Sequence, residues 1–170
     1  MKRIALLAVL TAVAACGSDS PTNPSTGPIA FTAALSAANE VPAVTNADAN
    51  GRGTATMTLN VPRDSSGAVT GGGTMNFVVP LSGFPAGTPV ILAHIHPGAA
   101  GATGSPLVNT GLSAASPVVL ADGTGTLTFN DVPVDQVKAQ QIVSNPAGFY
   151  FNAHTVLNPG GAVRGQLVRQ

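Results

Sequence analysis

The chain has 170 residues and no formal net charge, seven basic residues balancing seven acidic ones. Charged residues make up only 8% and form no basic patch, which excludes the electrostatic footprint of a nucleic-acid binder. Its 20 glycines and 14 prolines exclude long helices, and its single cysteine excludes an internal disulfide, so stability has to come from a packed β-sheet core.

The first element in chain order is a leader. Lys2 and Arg3 precede an uncharged apolar run over residues 4–15, too short to span a bilayer as a helix and suited to a secretory signal. It closes on Val13-Ala14-Ala15-Cys16, small residues running into the only cysteine. That pattern resembles a bacterial lipobox. The resemblance implies that Cys16 takes diacylglycerol on sulfur, becomes the new N-terminus after cleavage and is acylated again, a palmitate-type anchor. The expected division is a lipoprotein signal peptide at 1–15, a flexible Ser/Thr/Pro/Gly-rich tether at 16–28 and a folded domain at 29–170. The expected address is the cell envelope, extracytoplasmic, with the membrane as partner through lipid on Cys16. Gly17 rather than aspartate after the cysteine favours the outer membrane if the organism is diderm. Without residues 1–15, five basic residues (Arg52, Arg63, Lys138, Arg164, Arg169) face seven acidic ones, a net charge of about −2.

Beyond the tether, short alternating runs are split by turn residues. The spacing predicts strands at 30–37, 54–61, 73–79, 89–96, 116–120, 125–130, 149–156 and 162–168. In the second, Thr54, Thr56 and Thr58 alternate with Ala55, Met57 and Leu59; in the third, Met75, Phe77 and Val79 share a face. Asp64-Ser65-Ser66-Gly67 reads as a turn, and Asp122-Gly123 as a hairpin joining its flanking strands. Residues 134–144, stopped by Asn145-Pro146, read as the one short helix. About eight short strands at this spacing predict an all-β fold, an antiparallel sandwich or barrel.

All three histidines fall in two of these strands, in Ala93-His94-Ile95-His96 and Asn152-Ala153-His154-Thr155. Side chains two apart on a strand point the same way, so His94 and His96 share a face with Leu92, opposite Ile91, Ala93 and Ile95. Tyr150, Asn152 and His154 likewise stand opposite Phe149, Phe151 and Ala153. With the apolar faces turned to the core, the three histidines point away from it, and they meet if the strands are neighbours. His-x-His places two Cβ atoms about 6.6 Å apart. From there two imidazoles converge on one ion, and a third completes a three-nitrogen copper or zinc site. The alternative is that His94 and His96 hydrogen-bond loop backbone and tie down residues 97–106. No Cys, Met or carboxylate adjoins the histidines, so no support for metal ligands is visible.

Other chemistry is poorly provided for. There is no Gly-x-Ser-x-Gly motif, and Glu40, Asp48, Asp64, Asp122, Asp131 and Asp135 sit mostly in turns without pairing. The glycine-rich stretches at 71–73 and 98–104 lead into no helix with a lysine, so neither is a phosphate loop. Arg164 lies in a strand among few charges and reads as a structural clamp on carbonyls or a carboxylate, Glu40 being one partner, ahead of an anion-binding role.

Four blocks in order carry a family resemblance: Asn39-Glu40-Val41-Pro42; Ala93-His94-Ile95-His96-Pro97-Gly98 with Gly104-Ser105-Pro106; Gly148-Phe149-Tyr150-Phe151-Asn152-Ala153-His154-Thr155; and Pro159-Gly160 with Arg164-Gly165-Gln166-Leu167. Together they resemble the CHRD (chordin) domain family over about residues 29–168. The resemblance implies a β-sandwich comparable to immunoglobulin-like and Cu,Zn superoxide dismutase-like folds. It marks Glu40, His94, His96, Tyr150, Asn152, His154, Arg164 and Gln166. Animal chordin is a secreted antagonist of bone morphogenetic proteins, a role that does not carry over to a bacterial lipoprotein. Ala43 stands where a second proline is common, and Ala162 where an acidic residue often precedes Arg-Gly-Gln.

The function expected is a non-catalytic binding or interaction module at the cell envelope, with a protein or glycan partner; one Tyr and no Trp speak against a stacking-type glycan site. The alternative is a copper or zinc protein, superoxide dismutase-like, using His94, His96 and His154. Three histidines cannot build a four-histidine copper site plus a zinc site, so full dismutase activity is not expected.

Overall fold

Alternation of apolar and polar residues builds nearly every strand of the computed structural model, which describes residues 27–170. The signal segment, Cys16 and the tether as far as Thr26 lie outside the described residues. The strands are β1 (Ile29–Ser36), β2 (Arg52–Asn60), β3 (Gly73–Ser82), β4 (Thr88–Pro97), β5 (Val108–Asn109), β6 (Val118–Leu120), β7 (Gly125–Val134), β8 (Phe149–Thr155), β9 (Val163–Gln166) and β10 (Val168–Arg169). One helix, α1 (Gln136–Ser144), starts where the Asp135 side chain accepts the Lys138 N–H. The all-β class and, among the described residues, the one short α-helix are as the sequence predicts.

All pairings are antiparallel, in the order β5-β4-β8-β9-β1-β2-β3-β7, with β6 also on the β4 edge and β10 on β1. The sheet folds over so that its two halves face each other. Phe31, Met57, Phe77 and Leu127 from one half pack against Val90, Ile95, Phe151 and Val163 from the other, all fully buried in one apolar cluster. The ring centroids of Phe77 and Phe151 lie 5.9 Å apart across the sandwich. Near the fold-over, β9 approaches β1 closely because residue 165 is glycine: a Cβ there would lie 2.1 Å from the Ala34 carbonyl oxygen.

Two local expectations are corrected. The Asp122-Gly123 turn is formed, but it joins no hairpin: β6 pairs with β4 while β7 pairs with β3, so the turn carries the chain from one half of the sandwich to the other. Turn chemistry specifies a reversal, and only tertiary packing chooses each strand's partner. Ile91 does not share the core face with Ala93 and Ile95. A bulge between Val90 and Leu92 inserts it as an extra residue, leaving Val90 on the core side.

The strand that matters most for function is β8, whose seven residues are all buried. Phe149, Phe151 and Ala153 join the apolar core. The other face lies beneath the segments 97–107 and 155–162, which fold back over it. Cutting Phe77 to Ala should remove ring contacts to both Phe129 and Phe151 and leave a cavity between the halves. A stability loss of about 3–5 kcal/mol is expected in urea unfolding, with the m-value kept.

Candidate metal centre

Strand register lays out the covered face of β8 as a small grid. His94 of β4 lies opposite Asn152 of β8, which lies opposite Arg164 of β9; in the next row His96 faces Tyr150, which faces Gln166. His154, two residues on from Asn152, lies opposite Leu92. Glu40 joins from the loop after β1. The eight positions marked by the family resemblance are therefore brought together in one patch. The histidines do point away from the apolar core, yet each is only 5% exposed, because loops cover them.

Each histidine has a defined partner. His96 Nδ1 donates to the Gly104 carbonyl at 2.8 Å, and His154 Nδ1 donates to the Pro159 carbonyl at 3.0 Å. A carbonyl only accepts, so each bond fixes the proton on Nδ1 and leaves Nε2 with its lone pair. His94 Nδ1 lies 3.4 Å from that Nε2 of His154, and His96 Nε2 is buried without a partner among the described residues. One ligating nitrogen from each ring lies within 4.8 Å of the others. Of the two backbone ties expected, His96 makes its own, to Gly104, whereas His94 pairs with His154 and the second tie is that of His154 to Pro159. Tie and metal ligand are compatible, because each loop bond uses one ring nitrogen and presents the other.

A column of rings holds His96. Its imidazole stacks on Tyr150 at 5.0 Å and 8°, and the Arg164 guanidinium caps the far face of Tyr150, 3.5 Å from the ring centroid. Arg164 clamps the 97–106 loop by donating to the Ala102 and Ala99 carbonyls at 3.0 and 3.4 Å, and Gln166 donates to those of Gly98, Ala147 and Phe149. The clamp expected of Arg164 is thus made to carbonyls, from a strand inside the sheet. Glu40 lies within reach of its charge and bonds Asn152. Gly161, at φ 140°, lets the chain pass these two side chains; a Cβ would come within 2.6 Å of Glu40 Oε2 and 2.7 Å of Asn152 Nδ2.

Sequence reasoning missed the support for His154. Buried Asp48 accepts from Thr155 Oγ1 at 2.6 Å and Asn158 Nδ2 at 2.7 Å, and Asn46 and Asn158 exchange a further pair of bonds. This network pins the turn that presents the Pro159 carbonyl. Asn46-x-Asp48 and Thr155-x-x-Asn158 are turn-type residues, the one trace of it in the sequence.

Burial holds His94 down to a pKa of about 4, with the neighbouring His154 and His96 adding to the shift. His96 and His154 are also lowered, chiefly by burial, against the opposing effect of their carbonyl bonds. The trio is neutral at pH 7, as metal ligation requires. Glu40 moves the other way: burial pushes it from 4.5 up to about 7, opposed by Arg164 and Asn152.

These shifts give the metal-free protein a defined pH profile. Below 6.5 the unfolded histidines take protons that the folded ones refuse, so their contribution is lost as pH falls from 6.5 towards 4. Glu40 keeps its proton when folded, so its contribution is lost as pH rises from 4.5 to about 7. The histidine gain is essentially complete once pH passes 6.5 and the Glu40 loss runs on to about 7, so no further rise in melting temperature is expected above about pH 7. Glu40→Gln should raise the melting temperature at pH 8 and change it little at pH 4.5. A wild-type curve still climbing between pH 7 and 8 would overturn this assignment.

No curated protein and no solved structure matched the chain. The family pattern of the CHRD domain matches residues 31–167, a span holding the whole grid and both covering segments. The chain belongs to the CHRD domain family.

Proposed function

We propose that this CHRD domain is a non-catalytic binding module whose ligand is a transition-metal ion, copper or zinc, taken by His94, His96 and His154. The observation that carries this reading is the 3.4 Å between His94 Nδ1 and His154 Nε2. An ion bound at 2.0–2.1 Å in trigonal or tetrahedral geometry separates its donor nitrogens by about 3.3–3.6 Å. That pair already stands at ligand spacing, with His96 Nε2 as the third donor and no protein partner of its own. The carbonyls of Gly104 and Pro159 orient their rings as partners of metal-bound histidines commonly do. When the ion enters, His94 must give up its Nδ1 proton and carry one on Nε2 instead.

Burial of all three rings favours holding an ion over turning over a substrate. A metal ligand also accounts for the unpartnered nitrogen, which a protein or glycan partner on the surface would not. Export and anchoring through lipid on Cys16 are part of the same proposal and rest on residues 1–16.

The full chain carrying Cys16→Ser, which removes the only competing thiol, should retain about one copper or zinc ion per molecule after desalting, with a raised melting temperature. His94→Ala and His154→Ala should each abolish retention while keeping the β-sheet circular dichroism. A wild-type site that retains no metal would sink the proposal. For the anchor, the wild-type chain should partition with membranes and incorporate labelled palmitate. Cys16→Ser should do neither, and unchanged partitioning would rule Cys16 out.

A further inference from the structure

The charge around the trio narrows the choice of ion. The ligands are three neutral imidazoles, and among the described residues no carboxylate or thiolate belongs to the group. The nearest fixed charge in the ring column is positive: Arg164, 2% exposed, stacked on Tyr150, which stacks on His96. Glu40 is the carboxylate tied to the grid. It reaches Asn152, not a histidine, and burial raises its pKa from 4.5 to about 7. Asp48 is engaged by Thr155 and Asn158.

The cost of moving an ion out of water scales with the square of its charge. A divalent ion here would carry about four times the desolvation cost of a monovalent one, with no anionic ligand to offset it and a guanidinium nearby. Zinc on three histidines takes water as its fourth ligand, and here that water would have to reach rings that are each only 5% exposed. Three imidazoles with no fourth donor grouped with them among the described residues meet the needs of a monovalent d¹⁰ ion, which is stable in a trigonal field.

We propose that the trio is a site for monovalent copper, held three-coordinate by His94 Nδ1, His96 Nε2 and His154 Nε2 among neutral ligands and beside the Arg164–Tyr150 stack. The inference rests on the metal-binding reading and adds the oxidation state. Arg164 and Tyr150 are positioning residues: they fix the plane of His96 and place positive charge behind it.

The test is anaerobic competition on the full chain carrying Cys16→Ser, with bicinchoninate for Cu(I) and chromophoric chelators for Cu(II) and Zn(II). One Cu(I) per chain is expected, bound at least about a hundredfold more tightly than either divalent ion. The X-ray absorption edge should show three-coordinate Cu(I). Glu40→Gln, with fold checked by circular dichroism, should leave the Cu(I) dissociation constant within a factor of about three. If Cu(II) or Zn(II) binds as tightly as Cu(I), the metal reading stands and the monovalent inference falls. The inference also falls if Glu40→Gln weakens Cu(I) binding by a factor of about ten or more in a folded protein, because Glu40 would then be the missing counter-charge. If none of the three ions binds, both readings fall together.

Discussion

Burial of the polar face of β8 is the constraint on which the rest of the structure depends. In a two-layer sandwich such a face is normally wet, and its polar side chains are served by water. Here Tyr150, Asn152 and His154 are buried as deeply as the phenylalanines behind them. A buried polar group left without a partner costs about 1–3 kcal/mol, so the covering loops must supply partners. They do so with carbonyls: Gly104 and Pro159 for the imidazoles, Ala99 and Ala102 for Arg164, Gly98 for Gln166. Carbonyls serve donors only. The donors of the face are therefore satisfied, and what remains over is acceptors. The unpartnered buried side-chain atoms among the described residues are His96 Nε2, Glu40 Oε1 and Asn152 Oδ1. A buried patch with surplus lone pairs is chemically suited to a cation or a proton, and this patch has three imidazoles on one side and a protonatable carboxyl on the other.

How much of this could be read from the chain differs by level. The strand bodies were legible because period-two alternation is a local signal: Ala55, Met57 and Leu59 declare their face without reference to any other strand. The grouping of the histidines was legible in part, because His94-x-His96 shares a face by geometry alone, whereas their proximity to His154 depends on β4 and β8 being neighbours. The partner change at Asp122-Gly123 was not legible, since a turn residue fixes a local reversal and carries no information about pairing. The supporting shell was hidden for a different reason. The groups that orient His96 and His154 are backbone carbonyls, which every residue has and no sequence pattern marks. Asp48 was visible as a turn residue, but its importance comes from Thr155 and Asn158, more than a hundred positions away.

Strands and loops divide the work of making the site. The strands place the Cβ atoms, and because both β4 and β8 also carry core residues on their opposite faces, that placement is as rigid as the core itself. The loops decide which ring nitrogen holds the proton. Gly104 and Pro159 could be displaced without disturbing a single strand pairing, and the rings would then be free to turn and to exchange tautomers. Orientation of the rings is thus separable from stability of the sandwich. The core residues set whether the domain folds, whereas Asp48, Asn158, Arg164 and Gln166 hold the loops whose carbonyls turn the Nε2 lone pairs of His96 and His154 inward. That division gives a physical reason for the marked positions to include an arginine and a glutamine that touch no imidazole: both donate to the carbonyls of the 97–107 segment or its neighbours, and through that segment they hold His96 in the one orientation in which its free nitrogen faces the other two rings.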